Sequence, residues 1–117
     1  MDLKEYQELA SRTCNDLNDE VANNTHMLFG MITEVAEAID AYKKSWAYGK
    51  ELDLTNVKEE IGDLLWYVAN FARFNNFDLE QIMERNIEKL QARYPEKYTN
   101  ENAINRDLNV EREILEK

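Results

Sequence analysis

Two pairs of acidic residues have the types and the spacing that could carry out chemistry. Glu34 and Glu37 form the first pair, and Glu60 and Asp63 form the second. Each pair is three residues apart in a segment predicted to be helical, so its two carboxylates share one helix face. The neighbouring residues are mostly apolar. Four carboxylates in such surroundings would repel one another strongly unless a cation lay between them.

A hard divalent cation is the expected occupant of this acidic cluster. Mg²⁺ prefers oxygen ligands, and it binds jointly to protein carboxylates and to substrate phosphates. A bound ion also polarises a phosphate and lowers the pKa of a water molecule towards neutrality. The alternative is a set of surface acids that pair with lysines, since this spacing is common on helices. The apolar neighbours Val35, Ile61 and Leu64 weaken that alternative.

A di-iron centre is another site in which acids gather inside a helical bundle. It requires a Glu-x-x-His pair from each of two helices. The chain has one histidine, His26, and the residue three positions before it is Asn23. The sequence therefore disfavours iron, and His26 is interpreted as a residue at a helix start.

Length, composition and charge describe a small, helical, acidic protein. A chain of 117 residues predicts a single domain, 1–117, and one proline with three glycines favours helices. The net charge is −10 and basic residues do not cluster, so no nucleic-acid partner is expected. The acidic balance favours divalent cations and, through them, a small phosphorylated substrate.

Cysteine content and hydropathy indicate where the protein is expected to be found. Cys14 is the only cysteine, which excludes an internal disulfide and is typical of a reducing compartment. No opening apolar run resembles a signal peptide, and no segment approaches the length of a membrane span. We therefore expect a cytoplasmic protein with no membrane partner.

Apolar periodicity predicts the helices that must position the first acidic pair. One helix is predicted over 2–22 with Asp2 as its N-cap, and the next over 26–46 with Thr25 as its N-cap. The apolar face of the second helix carries Leu28, Ile32, Val35 and Ile39. Its nearly opposite face carries the two glutamates together with small residues. A helix that is apolar or small on two sides, in so small a domain, suggests that one side meets another chain.

A third helix, predicted from about Thr55 to Asn75, positions the second acidic pair. A connector that contains Gly49 precedes it. Glu60 and Asp63 lie at the border of its broad apolar stripe, where a carboxylate is neither freely solvated nor simply buried. That border is where a metal site is expected.

A fourth helix is predicted to begin after the N-cap Asp78 and to end near Pro95. Asn86, Lys89 and Arg93 lie along one line on it, and they offer an amide and two cations to phosphate oxygens. A solvated polar face is the alternative interpretation of these three residues.

The order of these motifs resembles that of the MazG-like nucleotide pyrophosphohydrolases, the all-α NTP pyrophosphatase group. Their signature is E-x-x-E, a spacer, then E-x-x-D, and the same residue types stand here at Glu34, Glu37, Glu60 and Asp63 with 22 residues between the pairs. The stretch 59–67 resembles the second motif of the family nearly residue for residue. The stretches 86–90 and 93–95 resemble the segment that follows it. The resemblance covers about 26–98 and leaves 100–117 as a C-terminal tail or short helix.

The resemblance implies a fold, a reaction and a set of site residues. The fold is an all-α, four-to-five-helix bundle that assembles as a dimer or tetramer. The reaction cleaves a ribo- or deoxyribonucleoside triphosphate to the monophosphate and pyrophosphate by metal-activated water, with Mg²⁺ or Mn²⁺. By this analogy the metal ligands and catalytic residues are Glu34, Glu37, Glu60 and Asp63, and the phosphate contacts are Asn86, Lys89 and Arg93.

Two alternatives to this reaction stay open at the level of sequence. The first is a related pyrophosphatase for dUTP, dCTP or a phosphoribosyl nucleotide, in which Asn70 is a candidate contact to a base. The second is a catalytically silent helical interaction module that uses the second helix as its assembly surface. A panel of substrates separates the first alternative, and divalent-metal binding separates the second.

Overall fold

The computed structural model describes residues 1–117, and its regular structure consists of six helices without a strand. The helices are α1 (Leu3–Ser11), α2 (Glu20–Tyr48), α3 (Leu54–Phe74), α4 (Leu79–Arg93), α5 (Asn100–Ile104) and α6 (Leu108–Glu116). They form two compact units, Met1–Phe77 (unit 1) and Asp78–Lys117 (unit 2). The all-α prediction is confirmed. The helix count exceeds the expected four to five because the C-terminal segment forms two short helices. That 1–117 is a single domain stays a prediction.

The break between α1 and α2 lies earlier in the chain than the sequence pattern suggested. Helix α1 ends at Ser11 and α2 begins at Glu20. The N-cap of α2 is Asp19, whose carboxylate accepts a hydrogen bond from the backbone N–H of Ala22 at 2.7 Å. The predictions of a first helix that runs to residue 22 and of an N-cap at Thr25 are therefore wrong. Helix α2 is the longest of the six, and none of them is both long and apolar enough to cross a membrane.

Side-chain partners outside α2 explain why the pattern of two asparagines misplaced this break. Asn23 is buried within α2, where its amide donates to Asp16 at 3.0 Å and its carbonyl accepts from the backbone N–H of Leu17 at 2.9 Å. Asn24 pairs with Asn75, the C-cap of α3, with a shortest contact of 2.8 Å. Asparagines favour turns when they bond to their own backbone. These two bond to other segments, so the helix continues through them.

The predicted caps of α1 and α4 are confirmed. The Asp2 carboxylate accepts from the backbone N–H of Glu5 at 2.8 Å, and that of Asp78 accepts from Gln81 at 3.2 Å. Gly49 ends α2 in the left-handed conformation with φ at 65°, which a residue without a β carbon adopts at little cost. Local sequence therefore places these two N-caps correctly, whereas α2 runs two residues beyond its predicted end at 46.

Helices α2 and α3 approach each other closely at Gly30. A β carbon at this position would overlap the ring of Tyr67, so the contact requires glycine. Gly30 lies one turn before Glu34 on α2, and Tyr67 lies one turn after Asp63 on α3. The contact therefore sets the distance between the two helices beside the acidic pairs.

Helix α1 is anchored on α3 by polar contacts, one of which is fully buried. Asn70 is completely buried, and its amide donates to the backbone carbonyls of Ala10 at 3.3 Å and Trp66 at 3.1 Å. Its carbonyl accepts from Nε of Arg73 at 3.4 Å. The indole of Trp66 donates to the hydroxyl of Thr13 at 2.9 Å. Asn70, a candidate contact to a base from the sequence, is therefore a packing residue that a ligand cannot reach.

A buried ion-pair cluster links α6 to α4 within unit 2. Glu111 is 3% exposed, and its carboxylate accepts hydrogen bonds from Arg93 at 2.6 Å and from Arg106 at 2.8 Å. The guanidinium of Arg93, followed by that of Arg106, lowers the pKa of Glu111 to about 2. The segment 100–117 is therefore not a loose tail, because its second helix is bonded to α4.

We expect Gly30→Ala to lower the free energy of unfolding by about 1–3 kcal/mol, because its methyl group would overlap the Tyr67 ring in a packed contact. Gly62→Ala is the matched control, since Gly62 is also helical but a β carbon there meets nothing within 4 Å. It should raise stability by roughly 0.5–1 kcal/mol through helix propensity. Urea unfolding followed by circular dichroism measures both. Equal effects of the two substitutions would contradict the close approach at Gly30.

The ion pairs of Glu111 should give stability a defined pH dependence. Folding lowers the pKa of Glu111 from 4.5 to about 2, so its stabilising contribution is complete above about pH 4.5 and is lost as the pH falls through about 2. Glu111→Gln should lower the unfolding temperature near neutral pH, and its difference from wild type should shrink in acid. Glu113→Gln, at an exposed position outside the ion pairs, is the control and should differ little from wild type. Thermal scans that show a constant Glu111→Gln deficit down to the acid limit would contradict this assignment.

Candidate functional site

The contact between α2 and α3 brings carboxylates of both helices together. Oxygen atoms of Glu34, Glu37 and Glu60 lie within 4.8 Å of one another, and these three residues are called the glutamate cluster below. Glu60 is 6% exposed, Glu34 is half-buried and Glu37 is exposed. The cluster therefore extends from the interior of unit 1 to its surface.

Asp63, the fourth acid of the predicted set, lies beside the glutamate cluster but outside it. Its side chain is exposed, one turn before Tyr67 on α3. Its negative charge contributes to the raised pKa of Glu34 and to that of Tyr67, after the larger effect of burial in each case. Asp63 thus adds to the negative field of the site, while its role as a ligand stays a prediction.

No basic side chain of the protein neutralises the glutamate cluster. The ion pairs of the structure include none of its three members. One oxygen of Glu34 and one of Glu60, Oε2 in each, are buried without a hydrogen-bond partner, which is uncommon for buried polar atoms. Burial, followed by the neighbouring carboxyls of Glu60 and Glu37, raises the pKa of Glu34 to about 7. Without a cation, the cluster therefore tends to keep a proton up to neutral pH.

The donor set of the cluster fits a divalent cation of the Mg²⁺ or Mn²⁺ type. It supplies carboxylate oxygens alone, which hard cations prefer, and two of those oxygens have no other partner. His26 lies outside the set, and its ring packs edge-on against Tyr67 with 6.1 Å between centroids. It also lies well inside α2 rather than at a helix start, so that part of the sequence interpretation is wrong.

Asn56 contacts the site and was not selected from the sequence. Its side-chain amide donates to Oε1 of Glu60 at 3.0 Å. It also lines a cleft of about 400 Å³ whose wall includes Lys44 and Lys50. The signal that could have identified it is the spacing of four residues between an amide and an acid on one helix face.

The predicted phosphate contacts lie on α4 in unit 2. Asn86 is exposed and Lys89 is half-buried, and their spacing places them on one helix face with Arg93. The guanidinium of Arg93 pairs with the buried Glu111 and already has a structural partner. Contact of any of the three with a phosphate stays a prediction.

An exposed apolar surface lies on α2 in unit 1. The predicted stripe is 45% to 67% exposed and consists of Leu28, Ile32, Val35 and Ile39. Part of the stripe lines an apolar groove of about 340 Å³, together with Met31, Ala36 and Leu64. Contiguous apolar surface of this kind marks interaction sites in many proteins.

Comparisons with known proteins identify the family of this chain. The family described as "MazG nucleotide pyrophosphohydrolase domain" matches residues 20–98, which include both acidic pairs and the polar face of α4. The chain is similar to the Gene 37 protein of Mycobacterium phage L5, with 29% identity over 80 residues that cover 64% of this chain and 69% of the phage protein. No solved structure matches it. Because the family match spans more than half of its length, the chain belongs to the family of MazG nucleotide pyrophosphohydrolase domains.

Proposed function

We propose that the protein is a divalent-metal-dependent pyrophosphohydrolase that cleaves ribo- or deoxyribonucleoside triphosphates to the monophosphate and pyrophosphate. Membership of the family supports the class of reaction. The observation that carries the metal dependence is the glutamate cluster, with its oxygens within 4.8 Å and two of them buried without a partner.

The acidic residues of α2 and α3 are the proposed ligands, namely Glu34, Glu37, Glu60 and Asp63. The ion that they would hold, Mg²⁺ or Mn²⁺, neutralises phosphate charge and lowers the pKa of water. Glu34 and Glu60 form the inner part of the site, and Glu37 and Asp63 lie at the surface. Solvent, and with it a substrate, reaches Glu37 and Asp63 more readily than Glu34 and Glu60.

The proposed phosphate contacts on α4 are Asn86 and Lys89, and the resemblance to the family motif is their support. Lys89 supplies a cation for a phosphate oxygen and Asn86 supplies a neutral donor. For Arg93 the same role stays a prediction, because its guanidinium is bonded to Glu111 in the structure.

Glu60→Gln should abolish hydrolysis, because it removes a charged oxygen from the buried part of the glutamate cluster. We expect a loss of about 100-fold or more, since even residues that only support metal ligands are worth 10–100-fold. Asp63→Asn should also lower activity. Glu59→Gln is the matched control: it changes the neighbouring acid, which is exposed and outside the cluster, and should keep wild-type activity. Anion-exchange chromatography of a panel of nucleoside triphosphates with Mg²⁺ or Mn²⁺ measures the products.

The same assay ranks the bases and sugars, and it includes dUTP, dCTP and phosphoribosyl nucleotides as related substrates. In ¹⁸O-labelled water, attack at the α-phosphorus places the label in the monophosphate, and label found only in pyrophosphate would contradict that attack site. If wild type turns over none of these compounds and binds no Mn²⁺, the proposal fails in favour of a silent helical module.

We also propose that the exposed stripe of α2 pairs with a second copy of the chain, giving a dimer or tetramer. Its support is the 45% to 67% exposure of four neighbouring apolar side chains and the groove beside them. Association would remove this surface from water, which is the main favourable contribution to most protein association.

Ile32→Glu should dissociate this assembly, because it places a charge in the centre of the exposed stripe. Thr33→Glu, which adds the same charge one residue later at an exposed polar position, is the control and should leave the assembly intact. Light scattering at micromolar concentration measures the mass of each variant. A wild-type mass of 13.8 kDa, the mass of one chain, would contradict the proposed self-association.

A further inference from the structure

We propose that Asn56 is a positioning residue for the metal site, which orients the carboxylate of Glu60 through the hydrogen bond from its side-chain amide. The inference rests on the proposed function, in which Glu60 is a metal ligand. It assigns a role to a residue outside the four acids of the motif.

The hydrogen bond from Asn56 determines which oxygen of Glu60 is available to bind an ion. The amide nitrogen of Asn56 lies 3.0 Å from Oε1, and Asn56 is the one residue outside the glutamate cluster whose side chain donates to Glu60. The other oxygen, Oε2, is buried and has no partner. Because Glu60 is 6% exposed, water competes little for either oxygen. Fixing Oε1 therefore fixes the plane of the carboxylate and leaves Oε2 as the oxygen that can bind an ion.

Asn56 is itself held in place by the start of α3. Its backbone N–H donates to Oδ1 of the N-cap Asp53 at 3.1 Å, which secures the first turn of the helix. Glu60 lies one turn further along the same helix face, so the amide reaches it without a change in backbone. The N-cap, the amide and the acid thus form a short series of contacts that ends at the glutamate cluster.

A neutral donor suits this position better than a cationic one. An amide donates a hydrogen bond to a carboxylate without cancelling its charge, whereas a lysine would satisfy part of the charge that a metal ion needs. Lys44 and Lys50 line the same cleft as Asn56, but neither forms an ion pair with Glu60. Lys44 pairs with Asp40 at 2.9 Å instead. The amide therefore orients one member of the cluster without cancelling any of the cluster's charge.

The test is the affinity of the full chain for Mn²⁺ without nucleotide, measured by isothermal titration. Asn56→Ala and Asn56→Leu both remove the donor, and the second largely keeps the volume of the side chain. We expect each to weaken Mn²⁺ binding by about 10–100-fold, the usual effect of losing a group that orients a metal ligand. Thr55→Ala, at the exposed preceding position of the same helix turn, should bind Mn²⁺ like wild type.

Titrations are made well below the unfolding temperature of each metal-free variant, so a weaker affinity reflects the site rather than the fraction folded. Turnover by both Asn56 variants should recover as Mn²⁺ is raised to saturation. Wild-type affinity in the Asn56 variants, or a loss of turnover that persists at saturating Mn²⁺, would overturn the positioning role while the proposed function stands. Failure of wild type to bind Mn²⁺ or to hydrolyse a triphosphate would overturn the proposed function and this inference with it.

Discussion

The close approach of α2 and α3 at Gly30 holds together carboxylates that repel one another. The overlap that any β carbon would make with Tyr67 shows how little space separates the helices there. One turn after Gly30 on α2, and one to two turns before Tyr67 on α3, the acids lie close enough for burial and neighbouring carboxyls to raise the pKa of Glu34. Packing energy from the apolar part of the helix pair must offset this repulsion when no cation is bound. The packing of unit 1 thus holds the two helices together at the contact between Gly30 and Tyr67.

Two of the three helices outside the family match, α1 and α6, are attached by buried polar groups. The match begins at the first residue of α2 and ends at residue 98, so α1, α5 and α6 lie outside it. Helix α1 is held by the buried Asn70, whose amide bonds to the backbone of Ala10. Helix α6 is held by Glu111 through Arg93. Removing one partner of such a contact leaves a buried polar group unsatisfied, so these contacts hold α1 on α3 and α6 on α4.

The spacing of the acids and two of the helix caps were predictable from the sequence, whereas the hydrogen-bond partners of several polar side chains were not. The spacing of the acids on their helices and the caps at Asp2 and Asp78 involve residues within one or two turns, and the structure has them as expected. The error at Asn23 arose because its partners belong to the preceding connector, which local turn propensity does not reveal. The ion pair of Arg93 was likewise not predicted, because its partner Glu111 lies 18 residues away. Asn56 was missed although it lies one turn before Glu60, because an amide four residues from an acid is an ordinary pair on a helix face.

The short connection between α2 and α3 has a consequence for the kinetics of folding. Residues 49–53 join the two helices, so the acidic pairs meet within one helical hairpin. Closing so short a loop loses little chain entropy, and contacts between neighbouring helices form among the fastest events in folding. We therefore expect the acids to be gathered before the polar contacts of α1, which must form across 53 to 60 residues of chain. An ion that binds the acids would then stabilise the α2–α3 hairpin before α1 has docked on it.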